Sequence, residues 1–105
     1  MTPQELYSGL LALGYPVSYS HFAEGNVPDP PFITYYYPGT ENFSADGIVY
    51  CPINEVDIEL YDVKKNLEAE QKIEAFLTEN EIFYEKQEYY IESEKMIQVI
   101  YEFEI

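Results

Sequence analysis

The closing segment "MIQVIYEFEI" alternates with a strict period of two. Ile97, Val99, Tyr101, Phe103 and Ile105 fall on one side of an extended chain; Gln98, Glu102 and Glu104 fall on the other. Successive side chains of a strand point to opposite faces, so such a segment fits a sheet with one face buried and the other wet. "VDIELY" repeats the pattern, with Val56, Ile58 and Leu60 inward and Glu55, Asp57 and Glu59 outward. Two strands of this kind need an apolar layer to cover one side only. The fold must therefore set something helical against a half-buried sheet.

Two segments supply that layer. "MTPQELYSGLLALGYP" opens with Thr2 as N-cap, Pro3 at the first helical position and Glu5 completing a capping box. Leu6, Leu10 and Leu13 share one face, flanked by Tyr7 and Leu11, before Gly14 and Pro16 stop the helix. "KNLEAEQKIEAFLTEN" is the second helix, with an apolar stripe of Leu67, Ile73, Phe76 and Leu77 and a Glu68–Lys72 pair at i,i+4. The stripe predicts that Phe76 is buried against the two central strands.

The remaining segments read as strands and turns. "VSYSHF" is a short strand, and the glycine and prolines of "AEGNVPDPP" dictate a loop. "FITYYY" is a second strand ended by Pro38 and Gly39, and "GTENFSADG" is polar enough to be an exposed loop. "IVYC" and "VDIELY" are expected to form a hairpin around Pro52 to Asn54, and the last two strands a long hairpin turning at Ser93-Glu94. The predicted class is α+β, an antiparallel sheet with two helices on one face, in the order α-β-β-β-β-α-β-β. Residues 1–105 form one domain, a length that buries an ordinary core.

Charge narrows the function. Twenty Asp and Glu face five Lys and no Arg, a formal net charge of −15. Nucleic-acid binding relies on basic side chains neutralising phosphates, and the one adjacent basic pair is Lys64-Lys65, so sequence-specific binding is not expected. No run has the roughly 18 consecutive apolar residues of a membrane helix. The N-terminus lacks a basic stretch followed by an apolar one, so synthesis in the cytoplasm is the expectation and no membrane partner is. Cys51 is the single cysteine, set in the apolar run "GIVYCPI", and is expected to be a buried or half-buried structural residue.

Chemistry finds little purchase. His21 is the one histidine, so histidine-paired metal sites and Ser/Cys–His pairs depend on a single side chain. Five scattered glycines build no phosphate cradle, and "DIELYD" lacks the ligand spacing and central glycine of a calcium loop. Pairs such as Asp57 and Glu59 arise by chance among twenty acids. No catalytic residue, metal or cofactor is expected, and the chain does not read as an enzyme.

The tyrosines say more. "FITYYY" places Tyr35, Tyr36 and Tyr37 in succession, and they cannot all enter one core. Tyr36 would share the inward face with Phe32 and Thr34, leaving Ile33, Tyr35 and Tyr37 on the other. That second face is expected to be partly exposed in a free protomer. It reads either as a surface for a neighbouring subunit or as rings covering a half-exposed sheet, with a carbohydrate platform a poorer third.

Four segments in order, "PPFITYYYPGTENFSADGIVY", "VDIELYDVKKNLEAEQKIEAFL", "IFYEKQEYYIESEKM" and "IQVIYEFEI", carry a family likeness. From about residue 6 to the end, the chain resembles the tail-completion proteins of long-tailed, non-contractile phages and prophages of Gram-positive bacteria. These are also called tail terminators or head–tail joining proteins. The likeness includes an N-x-x-A-D loop (Asn42, Ala45, Asp46). It implies a structural role: six copies form a ring at the head-proximal end of the tail tube, while the net charge of −15 is expected to keep free protomers monomeric. The ring stops tube polymerisation and docks on the head connector while DNA passes through its centre. The implied partners are further copies of the chain, the tail tube protein and the head connector or head-completion protein. The implied location is the virion's head–tail interface, reached by assembly in the host cytoplasm.

On that reading the subunit interface takes Ile33, Tyr35, Tyr37, Asn42 and Asp46, and the exposed acidic or lumen face takes Glu55, Asp57 and Glu59. Two alternatives stay open. One is a head-side connector or adaptor of the same particle. The other is an acidic, DNA-mimicking protein-binding inhibitor, against which the lysine-bearing helix counts by interrupting the charge array.

Overall fold

The computed structural model describes residues 1–45 and 47–105, with the side chains of 43–45 and 49–51 outside the description. Asp46 and the side chain of Cys51 therefore lie outside the described residues. The order is α1 (Pro3–Leu11), β1 (Val17–Tyr19), β2 (Phe32–Tyr36), β3 (Phe43–Ala45), β4 (Ile48–Cys51), β5 (Glu55–Asp62), α2 (Leu67–Glu79), β6 (Glu85–Ile91) and β7 (Met96–Glu104). Five strands form one sheet in the order β1-β2-β5-β7-β6, and β3 and β4 form a separate two-stranded ribbon. The class is α+β, as the alternation and the two amphipathic segments require.

Local chemistry accounts for the helix ends. The Thr2 hydroxyl accepts from the Glu5 N–H at 3.1 Å, and the Glu5 carboxylate accepts from the Thr2 N–H at 3.0 Å, so the capping box is complete. Asn66 caps α2 by accepting from the Ala69 N–H at 3.0 Å. Leu6 and Leu10 from α1, with Ala69, Ile73 and Leu77 from α2, bury against the sheet. Opposite them, the pairs Leu60↔Val99, Ile58↔Tyr101 and Val56↔Phe103 bring β5 and β7 into register with their apolar residues on the same side.

Several expectations are corrected. Leu67 is exposed, and Ala69 and Glu70 take up the buried positions of α2. Phe76 is half-buried and meets the other helix rather than lying under the sheet. A Cβ on Gly9 would sit 2.2 Å from Cε1 of that ring, so the missing side chain at position 9 is what lets it in. "IVYC" pairs with Phe43–Ala45, inside the stretch read as a loop, and forms no hairpin with β5. The reason is occupancy: β5 already pairs with β2 along one edge and β7 along the other. The sheet is antiparallel except at β1, which runs parallel to β2. The intervening residues 20–31 give the dozen or so that a return crossover needs.

The largest correction concerns the tyrosine strand. Ile33 pairs with Leu60 and Tyr35 with Ile58, so both lie on the helix side, and they are 0% and 7% exposed. Tyr37 is half-buried against the same core. The ring of Tyr35 is enclosed by Tyr7, Tyr19 and Tyr37 at centroid distances of 6.2, 5.3 and 6.1 Å. The face expected to be partly exposed is therefore the inner one. Alternation was read correctly and the two faces were exchanged, because Phe32 and Thr34 are also buried, by neighbours on the open side of the sheet. The Phe32 ring stacks on Tyr61 at 5.2 Å and meets Phe22 edge-on at 5.3 Å.

Replacing Tyr35 by Ala should destabilise the fold by about 3–5 kcal/mol, the range for removing a buried aromatic ring. Urea unfolding followed by circular dichroism measures this; a loss below about 1 kcal/mol would mean that the ring is not a core residue.

Candidate functional site

The sheet has two unlike faces, and each handles carboxylates in its own way. On the helix side, Glu70 is 1% exposed between α2 and the outer strand β6. Lys86 Nζ stands 2.7 Å from its Oε1, and Lys65 Nζ lies 2.9 Å from Oε1 and 2.8 Å from Oε2. Oε2 receives no well-directed hydrogen bond, yet the ammonium beside it offsets its charge. Lys86 also reaches Glu74 at 2.8 Å, and Lys65 reaches Glu88 at 2.6 Å. Tyr101, fully buried on β7, donates to Glu74 Oε2 at 2.7 Å.

This network perturbs its members in opposite directions. Burial raises the Tyr101 phenol, and the hydrogen bond to Glu74 raises it further. Burial alone would raise Glu74, but the hydrogen bonds from Lys86 and Tyr101 outweigh it and hold the carboxyl below its usual value. The arrangement clamps the edge strand β6 to α2. Removing one partner would leave a buried charge, which costs far more than an exposed pair contributes.

The open face is the candidate site. Alternation that sends Val56, Ile58 and Leu60 inward sends Glu55, Asp57 and Glu59 outward, and all three are half-buried. Asp57 lies opposite Glu102 on β7, and Glu102 lies opposite Glu85 on β6. Glu55 lies opposite Glu104. Like charges directly opposed in a sheet repel, so this is an electrostatically loaded surface. Among the strand positions on this face there is no lysine: Lys86 points to the helix side, and the other four lysines lie outside the strands. The lysine-bearing helix does not interrupt the acidic array, because it covers the opposite face.

Nearer the middle, the carboxylate of Glu59 accepts from Thr34 Oγ1 at 3.0 Å, Gln98 Nε2 at 2.9 Å and Tyr61 Oη at 3.4 Å. Burial nonetheless raises its pKa above the ordinary carboxylate value, with those three hydrogen bonds opposing the rise. Tyr36 is pushed up to about 12, chiefly by its hydrogen bond to Asp57. At the rim, Glu104 is raised by a hydrogen bond shared with Glu41, with Glu55 adding repulsion.

One hydroxyl and one imidazole meet, at the surface and between adjacent residues. His21 is exposed, its Nδ1 3.2 Å from Ser20 Oγ. No cluster of three or more His, Cys, Asp or Glu among the described residues is placed to hold a metal ion. Of the expected interface set, Ile33, Tyr35 and Tyr37 belong to the core and its margin, Asn42 is exposed, and Asp46 is outside the described residues. The opposed pairs Asp57–Glu102–Glu85 were not anticipated. The alternation placed each acid on a face, but the register that opposes them comes from strand pairing.

Comparison with known proteins found no matching family model, no matching curated protein and no matching solved structure.

Two outcomes are expected from this face. Glu102→Gln should raise the thermal midpoint at about 0.01 M salt and do little at about 1 M, where screening falls from about 30 Å to about 3 Å. Equal effects at both would mean that opposed charge is not the cause. The second outcome concerns pH. The folded Glu59 carboxyl binds its proton more tightly than the unfolded one, so its contribution favours folding at acid pH and is lost as pH rises through the folded value. Wild-type stability should therefore fall relative to Glu59→Gln as pH rises from the ordinary value of 4.5, as denaturant midpoints would show. Below that value Glu74 acts with the opposite sign in both proteins and cancels in the comparison.

Proposed function

We propose that this chain is a structural tail-completion protein. Six copies form a ring at the head-proximal end of a phage tail tube, end its polymerisation and join tail to head. The observation that carries the reading is the open face, with acids opposed to acids across β5, β7 and β6 and no lysine at its strand positions. A conduit for DNA requires a wall that repels phosphate, and an uncompensated carboxylate surface does so. The ordered likeness noted above supplies the particle. The residues proposed for the lumen are Glu55, Asp57 and Glu59, joined by Glu102 and Glu104.

The ring needs a contact surface other than Ile33, Tyr35 and Tyr37. A head-to-tail ring uses two different patches per subunit. One proposed patch is the outer strand β6, where Tyr89 and Tyr90 are 49% and 59% exposed, with Asn42 retained on a separate surface. The protomer's charge of −15 keeps free copies apart until a tail end offers a template.

A second reading draws support from the same face. An acidic inhibitor that mimics DNA needs carboxylates arrayed without cations between them, and the open face offers that array.

The test is removal of the gene from its genome of origin, followed by electron microscopy of the particles. Tails of uncontrolled length, or full-length tails separated from heads, are the expected result. Normal joined particles would overturn the proposal, and heads lacking a connector layer on normal tails would move the protein to the head side. Tyr89→Ser/Tyr90→Ser should fold as the wild type does and reproduce the defect of the deletion.

A further inference from the structure

At one end of the open face, β6 begins later than the strand it pairs with. Pairing between β6 and β7 ends at Glu85↔Glu102, whereas β5 continues beside β7 through Glu55↔Glu104. The N–H and C=O of Ile105 are both taken by Asn54, on the β5 side. By the period of two, the backbone N–H and C=O of Glu104 point the other way, to where β6 has no residue. The sheet thus has a notch floored by the backbone N–H and C=O of one residue, Glu104.

A groove of about 520 Å³ occupies this notch. Glu55, Asp57, Glu81, Glu85, Glu102 and Glu104 line it, and no lysine does. Ile82 and Phe83 complete one wall, and the Phe83 ring is 81% exposed, the most exposed large apolar side chain described. Three features thus coincide: free backbone hydrogen-bonding groups, an exposed ring and six carboxylates. An added strand uses the first, an aliphatic stem or a cation over a ring uses the second, and ammonium or guanidinium groups use the third.

We infer that this groove receives an extended lysine- or arginine-rich segment of another protein, which adds to the sheet along β7 beyond the start of β6. Charge selects the occupant. A second copy of the chain brings its own net −15, and nucleic acid brings phosphates, so both are repelled. A basic segment relieves the repulsion between opposed carboxylates and satisfies the strand edge in one event. The groove shares Glu55, Asp57, Glu102 and Glu104 with the face proposed for the lumen, but the inference concerns the protomer alone and can be tested on it.

The probe is a fluorescent eight-residue peptide of alternating Lys and Val, compared with its Glu-Val counterpart, in anisotropy titrations and amide chemical-shift mapping. The Lys peptide should bind, the Glu peptide should not, and the largest shifts should fall on residues 81–85 and 103–105. Glu85→Gln/Glu102→Gln/Glu104→Gln should weaken binding by about tenfold or more. Glu24→Gln/Glu92→Gln/Glu94→Gln, which removes the same charge from the loop before β2 and from the far turn of the β6–β7 hairpin, should weaken it by less than about twofold. A Lys peptide N-methylated at alternate positions should lose binding, because it cannot extend the sheet. No binding, equal losses in the two triple variants, shifts centred elsewhere, or indifference to N-methylation would each overturn the inference.

Discussion

The ladder between β5 and β7 sets Val56, Ile58 and Leu60 against Phe103, Tyr101 and Val99, and sets the acids between them against other residues of the same strands. Both halves of the molecule follow from that register. The apolar pairs give the helices a continuous surface, and Leu6, Leu10, Ile73 and Leu77 close over it. The intervening positions are carried outward by the same period and in the same register. A sequence that places Glu at positions 55, 102 and 104 and Asp at 57 therefore opposes acids automatically once the core forms. A slip by one residue would exchange the faces and bury the carboxylates, so the core and the charged surface are one choice.

Carboxylates meet different fates on the two sides. Glu70 is buried and held by Lys65 and Lys86, with Glu74 and Glu88 completing the bridge to β6. Two of the five lysines are spent on that clamp, and Lys72 pairs with Glu68 on the surface of α2 at 3.6 Å. The open face thus stays anionic because the chain has few cations and the helix side takes them. Glu59 is an intermediate case, desolvated yet supplied with three neutral donors. Hydrogen bonds replace an ion pair there.

Local signals made the helices and the central strands legible. The capping box at Thr2 and Glu5 needs four consecutive residues to be recognised, and the alternation at 97–105 needs nine. Features set by long-range pairing were not legible. "FITYYY" has apolar or aromatic groups on both faces, so its period did not say which face meets the helices; the partners Leu60 and Ile58 decide that. "IVYC" has the character of a sheet strand but finds both edges of β5 occupied and pairs instead with 43–45. Glu70 reads in sequence as one more surface acid, and its burial depends on Lys86, sixteen positions later. The acids of the candidate site were assigned to the correct face, while their mutual opposition required the register.

Gly9 and Phe76 bear on how the molecule comes apart. Helix α1 has nine residues, too few to persist alone in water. It stays folded because Leu6 and Leu10 are docked and because the ring from α2 fits where position 9 has no side chain. Undocking and melting are then a single cooperative event, a local opening below the free energy of global unfolding. That event would uncover Ile33 and Tyr35 while the β5–β7 ladder remained paired. The aromatic strand is hidden in the ground state, but its concealment is only as stable as the docking of a two-and-a-half-turn helix.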